Sequence, residues 1–402
     1  MPEYQQESSE LPYVTSLSNL LVTWKGRVFF AIVLFCFVFL STYPKYVDLL
    51  LDPTPDATNP YFFQKIKTPF KQIQISEETH ASKGSFRLTV ALLGNALSIG
   101  KHGTGKDVIL LYFFQSFLLA PFFLILVRLF QRFADNISTV LFAIAFSSIY
   151  VTTAFFWDYD FWFDGVAFFF LLLGIYLKNK AGIFCALQLA CWTDERAVIA
   201  LSSVYLFHIL QENNFQLNHL RQVFTKSFFQ NRSTVVILAG AFYLLLRLFL
   251  SYKFGLYTPK GEGTGVGLFL LPYQLTHRFS GIFSTFEGLW LIFIIALGLL
   301  FRRKNVLLIF AIAGIMIIHI VVAYCVFDIT RSLSYAFPLL IICGILVVKN
   351  DIKWAHYIFF GAAILCIFIK TQYLIYYPHQ IPWSLLSYAE FKLVIKHHFS
   401  IY

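Results

Sequence analysis

The stretch GIFCALQLACWTDERAVIALSSVYLFHIL, residues 182–210, places a short charged turn between two apolar runs. The runs 182–192 and 197–210 are each shorter than the roughly 20 apolar residues with which a helix crosses a bilayer. Charged chain inside a membrane is costly, and it is tolerated where protein or water surrounds it. The stretch therefore predicts two short helices whose tip, residues 193–196, lies below the membrane surface in a cavity lined by protein.

The rest of the chain has the composition of a membrane protein. Of its 402 residues, 58% are hydrophobic and 13% are charged, and the 48 phenylalanines outnumber the 31 lysines and arginines. Soluble proteins have about 25% charged residues, so this composition excludes a soluble enzyme, a disordered chain and a nucleic-acid-binding protein. The net charge of +10 fits lysines and arginines that hold cytoplasmic loops in place, and we expect no nucleic acid partner.

Apolar runs that suit membrane helices recur along the whole chain. They predict an all-α polytopic membrane protein, a single integral membrane domain over residues 1–402, with about eleven transmembrane or half-membrane helices. The runs are residues 28–43, 108–129, 137–153, 161–177, 182–192, 197–210, 234–250, 286–301, 306–327, 333–348 and 354–369.

Basic residues are concentrated in alternate connections between these runs. Six such connections carry at least two lysines or arginines each, and the short connections on the other side carry one or none. By the positive-inside rule, this pattern predicts a cytoplasmic N-terminus. The outer side then holds a long first loop at 44–106, a second long loop at 252–281 and, because the number of spans is odd, the C-terminal tail at 370–402.

The first outer loop contains the sequence EETHASKGSFR, residues 77–87. Glu77, His80, Gly84 and Arg87 fall on one face at helical spacing, with Lys83 beside them. This pattern predicts an amphipathic helix on the outer membrane surface. Two interpretations stay open, because interfacial helices commonly turn a charged face to water and because the same charges suit a binding site.

The charged tip between the two short runs gives the sharpest functional signal. Asp194, Glu195 and Arg196 interrupt an apolar stretch, and the energetic cost of such charges favours a functional role. The alternative is an ordinary turn with a local ion pair. Asp164 opens another apolar run, where a carboxylate suits the N-terminal end of a helix.

Two further groups of charges lie near the same face. Asp328 and Arg331 are three residues apart and are able to pair with each other, either as a loop salt bridge or as part of a site. Arg247 lies within a run, toward its outer end. It either extends its charge to the interface or meets a lipid phosphate, which a guanidinium group fits well.

These features together resemble the GT-C superfamily of integral membrane glycosyltransferases. The resemblance is architectural: many spans, a long first outer loop with acids and a surface helix, and arginines near the outer leaflet. It is carried by residues 77–87, by Asp164 after a span, and by Asp328 with Arg331 before Pro338. Family members usually carry an acidic pair just after the first span. Here Asp48 and Asp52 lie close to that position, and the adjacent pair Glu77-Glu78 comes later.

The resemblance implies sugar transfer from a polyprenyl-linked donor to a glycan, lipid or protein acceptor at the extracytoplasmic face. It also implies a bacterial inner (plasma) membrane location. A carboxylate would take the proton from the attacking hydroxyl; Glu77 or Glu78 is the first choice for this base, followed by Asp194 or Glu195. The substrate- or phosphate-binding candidates are His80, Lys83, Arg87, Asp164, Arg196, Arg247, Asp328 and Arg331.

Other functions fit the same sequence. A polysaccharide polymerase or ligase would use the same lipid-linked donors, and a transporter or flippase would place its charges near the bilayer midplane in broken helices. A non-catalytic membrane scaffold needs no converging charges. No spacing predicts a metal site, although the number of acids leaves room for a divalent cation.

Overall fold

The computed structural model describes residues 19–43, 45–54, 60–73, 84–158, 160–215, 231–258, 266–350, 352–369, 371–372, 379–380 and residue 396. Most of the described chain is helical, with 3₁₀ turns at residues 84–86 and at Ser334–Ala336 and two short antiparallel strands, β1 (Thr371–Gln372) and β2 (His379–Gln380). The α-helices are α1 Trp24–Ser41, α2 Lys45–Leu51, α3 Pro60–Lys67, α4 Thr89–Leu97, α5 Gly105–Phe117, α6 Leu119–Phe130, α7 Asn136–Phe146, α8 Tyr150–Trp157, α9 Asp164–Tyr176, α10 Lys180–Thr193, α11 Ala197–Glu212, α12 Arg232–Phe254, α13 Leu270–His277, α14 Ser280–Phe286, α15 Leu289–Arg302, α16 Val306–Tyr324, α17 Ile329–Leu333, α18 Phe337–Asn350 and α19 Ile352–Phe368.

The predicted all-helical fold is confirmed, and every predicted apolar run is helical over most of its length. Among the described residues, five continuous helical segments are long and apolar enough to cross a membrane: α1, α5 with α6 (Gly105–Phe130), α12, α16, and α17 through α18 (Ile329–Asn350). The number rises to seven if each of two bent helix pairs is one span. The chain is therefore an all-helical protein with five to seven candidate membrane spans. The count of about eleven transmembrane or half-membrane helices stays a prediction.

Burial separates a central helix from peripheral ones. In the continuous helical segment Ile329–Asn350, protein buries 94% of the most apolar stretch of 18 residues, whereas in Val306–Tyr324 it buries 28% of that stretch. The peripheral helices expose large apolar side chains instead, such as Leu245 and Leu248 on α12 and Phe310 on α16. In water such a surface would be a liability, but it suits contact with lipid tails.

Two breaks bend the helical chain, one inside the predicted run 137–153 and one at the start of the predicted run 286–301. Helices α7 and α8 meet at 48°, and α14 and α15 meet at 93°. At the first bend, Ile149 has extended backbone with ψ 165°, which interrupts the hydrogen-bond ladder. At the second bend, Glu287 has φ 47°. Helix α8, which follows the first bend, ends just before the loop that leads to the start of α9.

Helices α9 and α10 pack against each other and define two ends of the bundle. Gly174 permits the close approach, because a Cβ there would lie 2.6 Å from Leu187 Cδ2. At one end lie Asp164, where α9 begins, and Thr193, where α10 ends. We call this the charged end. The opposite end, where α9 finishes at Tyr176, is called the basic end. A helix of this length separates them by about 20 Å.

Candidate functional site

A buried carboxylate at the first residue of α9 is the centre of the charged end. Asp164 is fully buried, and its Oδ1 accepts hydrogen bonds from Arg196 Nη2 at 2.8 Å, Tyr335 OH at 2.9 Å and Arg331 Nη2 at 3.3 Å. Its Oδ2 accepts from Tyr150 OH at 3.1 Å and from Arg331 Nε. Two guanidinium and two phenol groups from three regions of the chain therefore converge on one carboxylate.

The tip that follows α10 supplies a second buried carboxylate. Asp194 Oδ1 accepts from the Arg196 backbone N–H at 2.9 Å and from Arg196 Nε at 2.8 Å, and its Oδ2 lies 2.7 Å from Arg196 Nη2 and 2.8 Å from Arg87 Nη2. Burial alone would raise the pKa of Asp194, but Arg196 and Arg87 hold this pKa well below its usual range. The predicted local ion pair is present, and it joins a larger network.

A third segment, residues 328–332 at the start of the central helical segment Ile329–Asn350, contributes the remaining charged residues. Arg331 Nη1 lies 3.4 Å from Asp328 Oδ2, so the predicted pairing of these residues is present. Arg196 Nη1 donates to Ser332 Oγ at 3.2 Å. We call Asp164, Asp194, Asp328, Arg87, Arg196 and Arg331 the charge network.

The loop between α8 and α9 is held in place by a further acid. Asp158 accepts the backbone N–H groups of Trp162 and Asp164, each at 3.0 Å. Two bulky residues of this loop, Phe161 and Phe163, have φ values of 57° and 59°, which are uncommon for residues with large side chains. Such strain persists where surrounding contacts impose it and is common at functional sites. Burial and the neighbouring charge of Asp164 raise the pKa of Asp158 to about 7.

A narrow crevice opens beside the charge network, between α3, the loop after α8 and the segment before α4. Its walls include the aromatic rings of Phe62, Phe161, Trp162 and Phe163. The volume is 20 Å³, which holds about one water molecule. A sugar-sized ligand therefore enters only if the walls of the crevice move apart.

Two cationic side chains face this crevice. Lys65 is buried, and its Nζ donates to the Lys71 carbonyl at 3.2 Å. Burial lowers the pKa of the Lys65 ammonium group to about 8. Arg87 donates through Nη1 to the Trp162 carbonyl at 3.3 Å, and its guanidinium lies 4.8 Å from the centre of the Trp162 ring. Its Nε has no hydrogen-bond partner among the described residues.

The predicted site residues divide into three groups. Asp164, Asp194, Arg196, Asp328, Arg331 and Arg87 converge in the charge network. Glu195 instead pairs with Arg247 at 3.0 Å, and these side chains are 31% and 24% exposed. Arg247 also donates to Tyr243 OH and Thr258 Oγ1, at 2.7 and 2.6 Å. Glu77, Glu78, His80 and Lys83 lie outside the described residues.

Arg87 ends the segment for which the sequence predicts a surface helix. That prediction left open whether the charges face water or form a binding site. Of residues 77–87 the structure describes 84–87, and residues 84–86 form a single 3₁₀ turn. Arg87 follows this turn and extends toward Asp194 instead of solvent. The physical reason is that the buried Asp194 carboxylate requires a cation, and this requirement outweighs the hydration of one arginine.

Several residues of the site carry no signal in the sequence. Tyr150 and Tyr335 lie in apolar stretches, where their hydroxyl groups look incidental, yet both donate to Asp164. Lys65 follows an aromatic segment in the long first loop and resembles any solvated lysine. A buried partner reveals itself only when the chain is folded. The one available signal was Asp158, which stands among aromatic residues without a basic neighbour.

Comparisons of the chain with models of protein families, with curated proteins and with solved structures find no match. The function is therefore inferred from the chemistry of the site. Within the described part of the chain, no three His, Cys, Asp or Glu side chains are placed to hold a metal ion. In the charge network, Arg87, Arg196 and Arg331 pair with the carboxylates of Asp164, Asp194 and Asp328. Lys65, which also lines the crevice, pairs with no carboxylate among the described residues, so its charge is available to an anion.

Proposed function

We propose that the chain is a membrane glycosyltransferase that moves a sugar from a polyprenyl-linked donor to an acceptor at the charged end. The observation that carries this proposal is the crevice that both Lys65 and Arg87 line, next to the charge network and within an apolar helical bundle. A polyprenyl-linked sugar phosphate requires apolar surroundings for its tail and fixed cations for its phosphate. The helices with exposed apolar faces supply the first, and the two cations supply the second.

The division of roles follows from the contacts of each side chain. Arg87 is fixed by Asp194 and by the Trp162 carbonyl, and its buried Nε, which has no hydrogen-bond partner among the described residues, becomes accessible to a ligand when the crevice widens. A guanidinium held in this way stabilises the negative charge that develops on a departing phosphate without having to reorganise. Lys65 provides a second charge on the same crevice. Asp164 and Asp194 act as positioning residues for the arginines.

The general base is assigned to Glu77 or Glu78. Asp194 is a weak proton acceptor, because its pKa lies well below the usual range. The segment that carries Glu77 and Glu78 leads into the turn at residues 84–86, just before Arg87 reaches the crevice. In the reaction, the acceptor oxygen bonds to the anomeric carbon as its proton passes to the carboxylate. The bond from this carbon to the phosphate oxygen breaks, and one direct displacement inverts the configuration.

The proposed topology places the charged end on the extracytoplasmic face of a bacterial inner membrane. In support, Arg27, Arg128, Arg132 and Lys178 from three connections meet at the basic end, as the positive-inside rule expects for a cytoplasmic face. With about eleven transmembrane or half-membrane helices, the N-terminus lies in the cytoplasm and the C-terminus outside.

The test is sugar transfer by the purified protein in nanodiscs, with radiolabelled polyprenyl-linked sugars as donors. Wild-type protein should release labelled product, and Arg87→Gln should lower the rate by about 10²–10³-fold, as for other lost transition-state donors. Glu77→Gln and Glu78→Gln identify the base. Arg303→Gln is the matched control, because it removes one charge from an exposed turn. Full activity of Arg87→Gln, Glu77→Gln and Glu78→Gln would disprove the mechanism. The length of the glycan product separates a single transfer from a polymerase or ligase.

A transporter or flippase is the second candidate, and the two bent helix pairs favour it. Broken helices form the binding sites of many transporters, and Tyr150, at the first bend, contacts Asp164. Counterflow of a labelled lipid-linked sugar in proteoliposomes, without formation of a new glycosidic bond, would select this function over the transferase.

A further inference from the structure

The basic end of the bundle contains an open cavity with no assigned role. It is lined by Arg27, Arg128, Gln131, Arg132, Tyr176 and Lys178, and its volume is 500 Å³. These residues come from the start of α1, the end of α6 and the connection after α9. The described lining contains four cations and no carboxylate. Its positive charge is therefore not neutralised by its own walls.

The arginines of this cavity are held by neutral partners. Arg27 Nε donates to the Leu21 carbonyl at 2.8 Å, and Arg132 Nη1 donates to the Tyr176 carbonyl at 2.9 Å. Arg132 also lies 4.1 Å from the centre of the Tyr176 ring. Carbonyl and ring contacts fix a guanidinium group without cancelling its charge. The remaining donors are thereby preorganised for an anion, which lowers the entropic cost of binding.

The surroundings of the cavity are those of a membrane surface. The guanidinium of Arg128 lies 5.3 Å from the Trp24 ring and 5.8 Å from the Tyr176 ring. Tryptophan and tyrosine are enriched where the bilayer meets water, and α1 continues from Trp24 as an apolar helix with exposed side chains. Basic pockets between helices at this depth bind anionic lipid head groups.

We propose that this cavity binds the phosphate of an anionic phospholipid head group, with Arg128 and Arg132 as the main ligands. The positive-inside rule explains why basic residues are retained at this end, but it does not require them to share one concave site. The side chains of Arg128 and Lys178 are exposed and those of Arg27 and Arg132 are half-buried, and all four line the cavity. This proposal is independent of the function at the charged end.

The experiment measures ligand-dependent thermal unfolding of the purified full-length chain in a neutral detergent. Phosphatidylglycerol, phosphatidylcholine and inorganic phosphate are titrated separately to obtain apparent Kd values. Charge-assisted hydrogen bonds are strong enough that losing the two arginines should weaken phosphatidylglycerol binding roughly tenfold or more. The variant is the pair Arg128→Gln with Arg132→Gln. The matched control is the pair Arg302→Gln with Arg303→Gln, which removes the same charge from the exposed end of α15 and the turn after it, outside the cavity.

The outcomes separate the sources of the phosphate. Tighter binding of phosphatidylglycerol than of inorganic phosphate, lost only in the cavity variant, supports a lipid site. Tighter binding of inorganic phosphate with the same dependence overturns the lipid assignment and leaves a free-phosphate site. Equal binding of phosphatidylglycerol and phosphatidylcholine, or equal weakening in both variant pairs, overturns the proposal. If the cavity variant does not fold, Lys178→Glu takes its place, because this exposed side chain lies in a connection outside the helices. Lys178→Glu should weaken phosphatidylglycerol binding, and unchanged binding in this variant overturns the proposal.

Discussion

Neutralising Asp164 should cost far more stability than neutralising any carboxylate at the edge of the bundle. In the change Asp164→Asn, the shape of the side chain is kept and its charge is lost. Arg196 and Arg331 then lose their shared partner, although Arg331 keeps Asp328 at 3.4 Å and Arg196 keeps Asp194. Asp164 is fully buried, and removing one partner of a buried ion pair costs about 3–5 kcal/mol.

The matched control is Glu195→Gln. Glu195 pairs with Arg247, but the side chain of Glu195 is 31% exposed and that of Arg247 is 24% exposed. Solvent screens a pair of this kind, so the expected cost is about 0–1 kcal/mol. The two variants therefore each remove one carboxylate charge, Asp164→Asn from a fully buried site and Glu195→Gln from a partly exposed pair.

The assay is equilibrium unfolding in mixed detergent micelles, followed by near-ultraviolet circular dichroism. A double-mutant cycle with Arg331→Gln should give a coupling energy with Asp164→Asn of about 0.5–3 kcal/mol. If Asp164→Asn costs no more than Glu195→Gln, or if the coupling energy is zero, Asp164 is not the anchor of the charge network and this reasoning is refuted.

Three further predictions concern titration and packing. Donor binding should weaken as the pH rises through about 8, where the buried Lys65 loses its proton, and Lys65→Arg should abolish this dependence in a binding assay across that range. The pKa of Asp158 is raised to about 7, so its contribution to stability is fully present below its usual pKa near 3.8 and is lost as the pH rises toward 7. Asp158→Asn should therefore flatten the pH dependence of the unfolding free energy over that range. An unchanged pH profile in this variant would argue against the raised pKa. Gly344→Ala should destabilise the fold by about 1–3 kcal/mol, since a Cβ there would lie 3.0 Å from the Phe130 ring. The control Gly314→Ala meets nothing within 4 Å, so it should be neutral or stabilising in the same unfolding assay.

The helices could be predicted because apolar length is written directly in the sequence. The runs around residues 182–210 are recovered as α10 and α11, and Thr193 and Asp194 of the tip between them are buried, whereas Glu195 is partly exposed. The bends could not be predicted. Hydropathy carries no information about direction, and the break at Ile149 lies inside a continuous apolar run.

The sequence indicated which charged residues require partners, but it did not indicate which residues pair with each other. The cost of burying charge indicated that Asp194 and Arg196 require partners. It did not indicate that Arg87, more than a hundred residues earlier, supplies one of them. Tyrosines that donate to a carboxylate, such as Tyr335, look like ordinary apolar residues until the chain is folded. Pairings over long sequence distances depend on tertiary packing, which a single sequence does not encode in any local pattern.

The most direct test of the proposed function asks where a lipid-linked donor binds. A polyprenyl-phosphate sugar analogue with a photoreactive group next to its phosphate is cross-linked to the protein in nanodiscs, and the labelled peptides are identified by mass spectrometry. We predict labelling at the crevice, on peptides that contain Lys65 or Trp162, and its loss when unlabelled donor competes. Labelling confined to the exposed apolar faces of α15 and α16, or labelling that unlabelled donor does not displace, would contradict the assignment of the charged end as the site of sugar transfer.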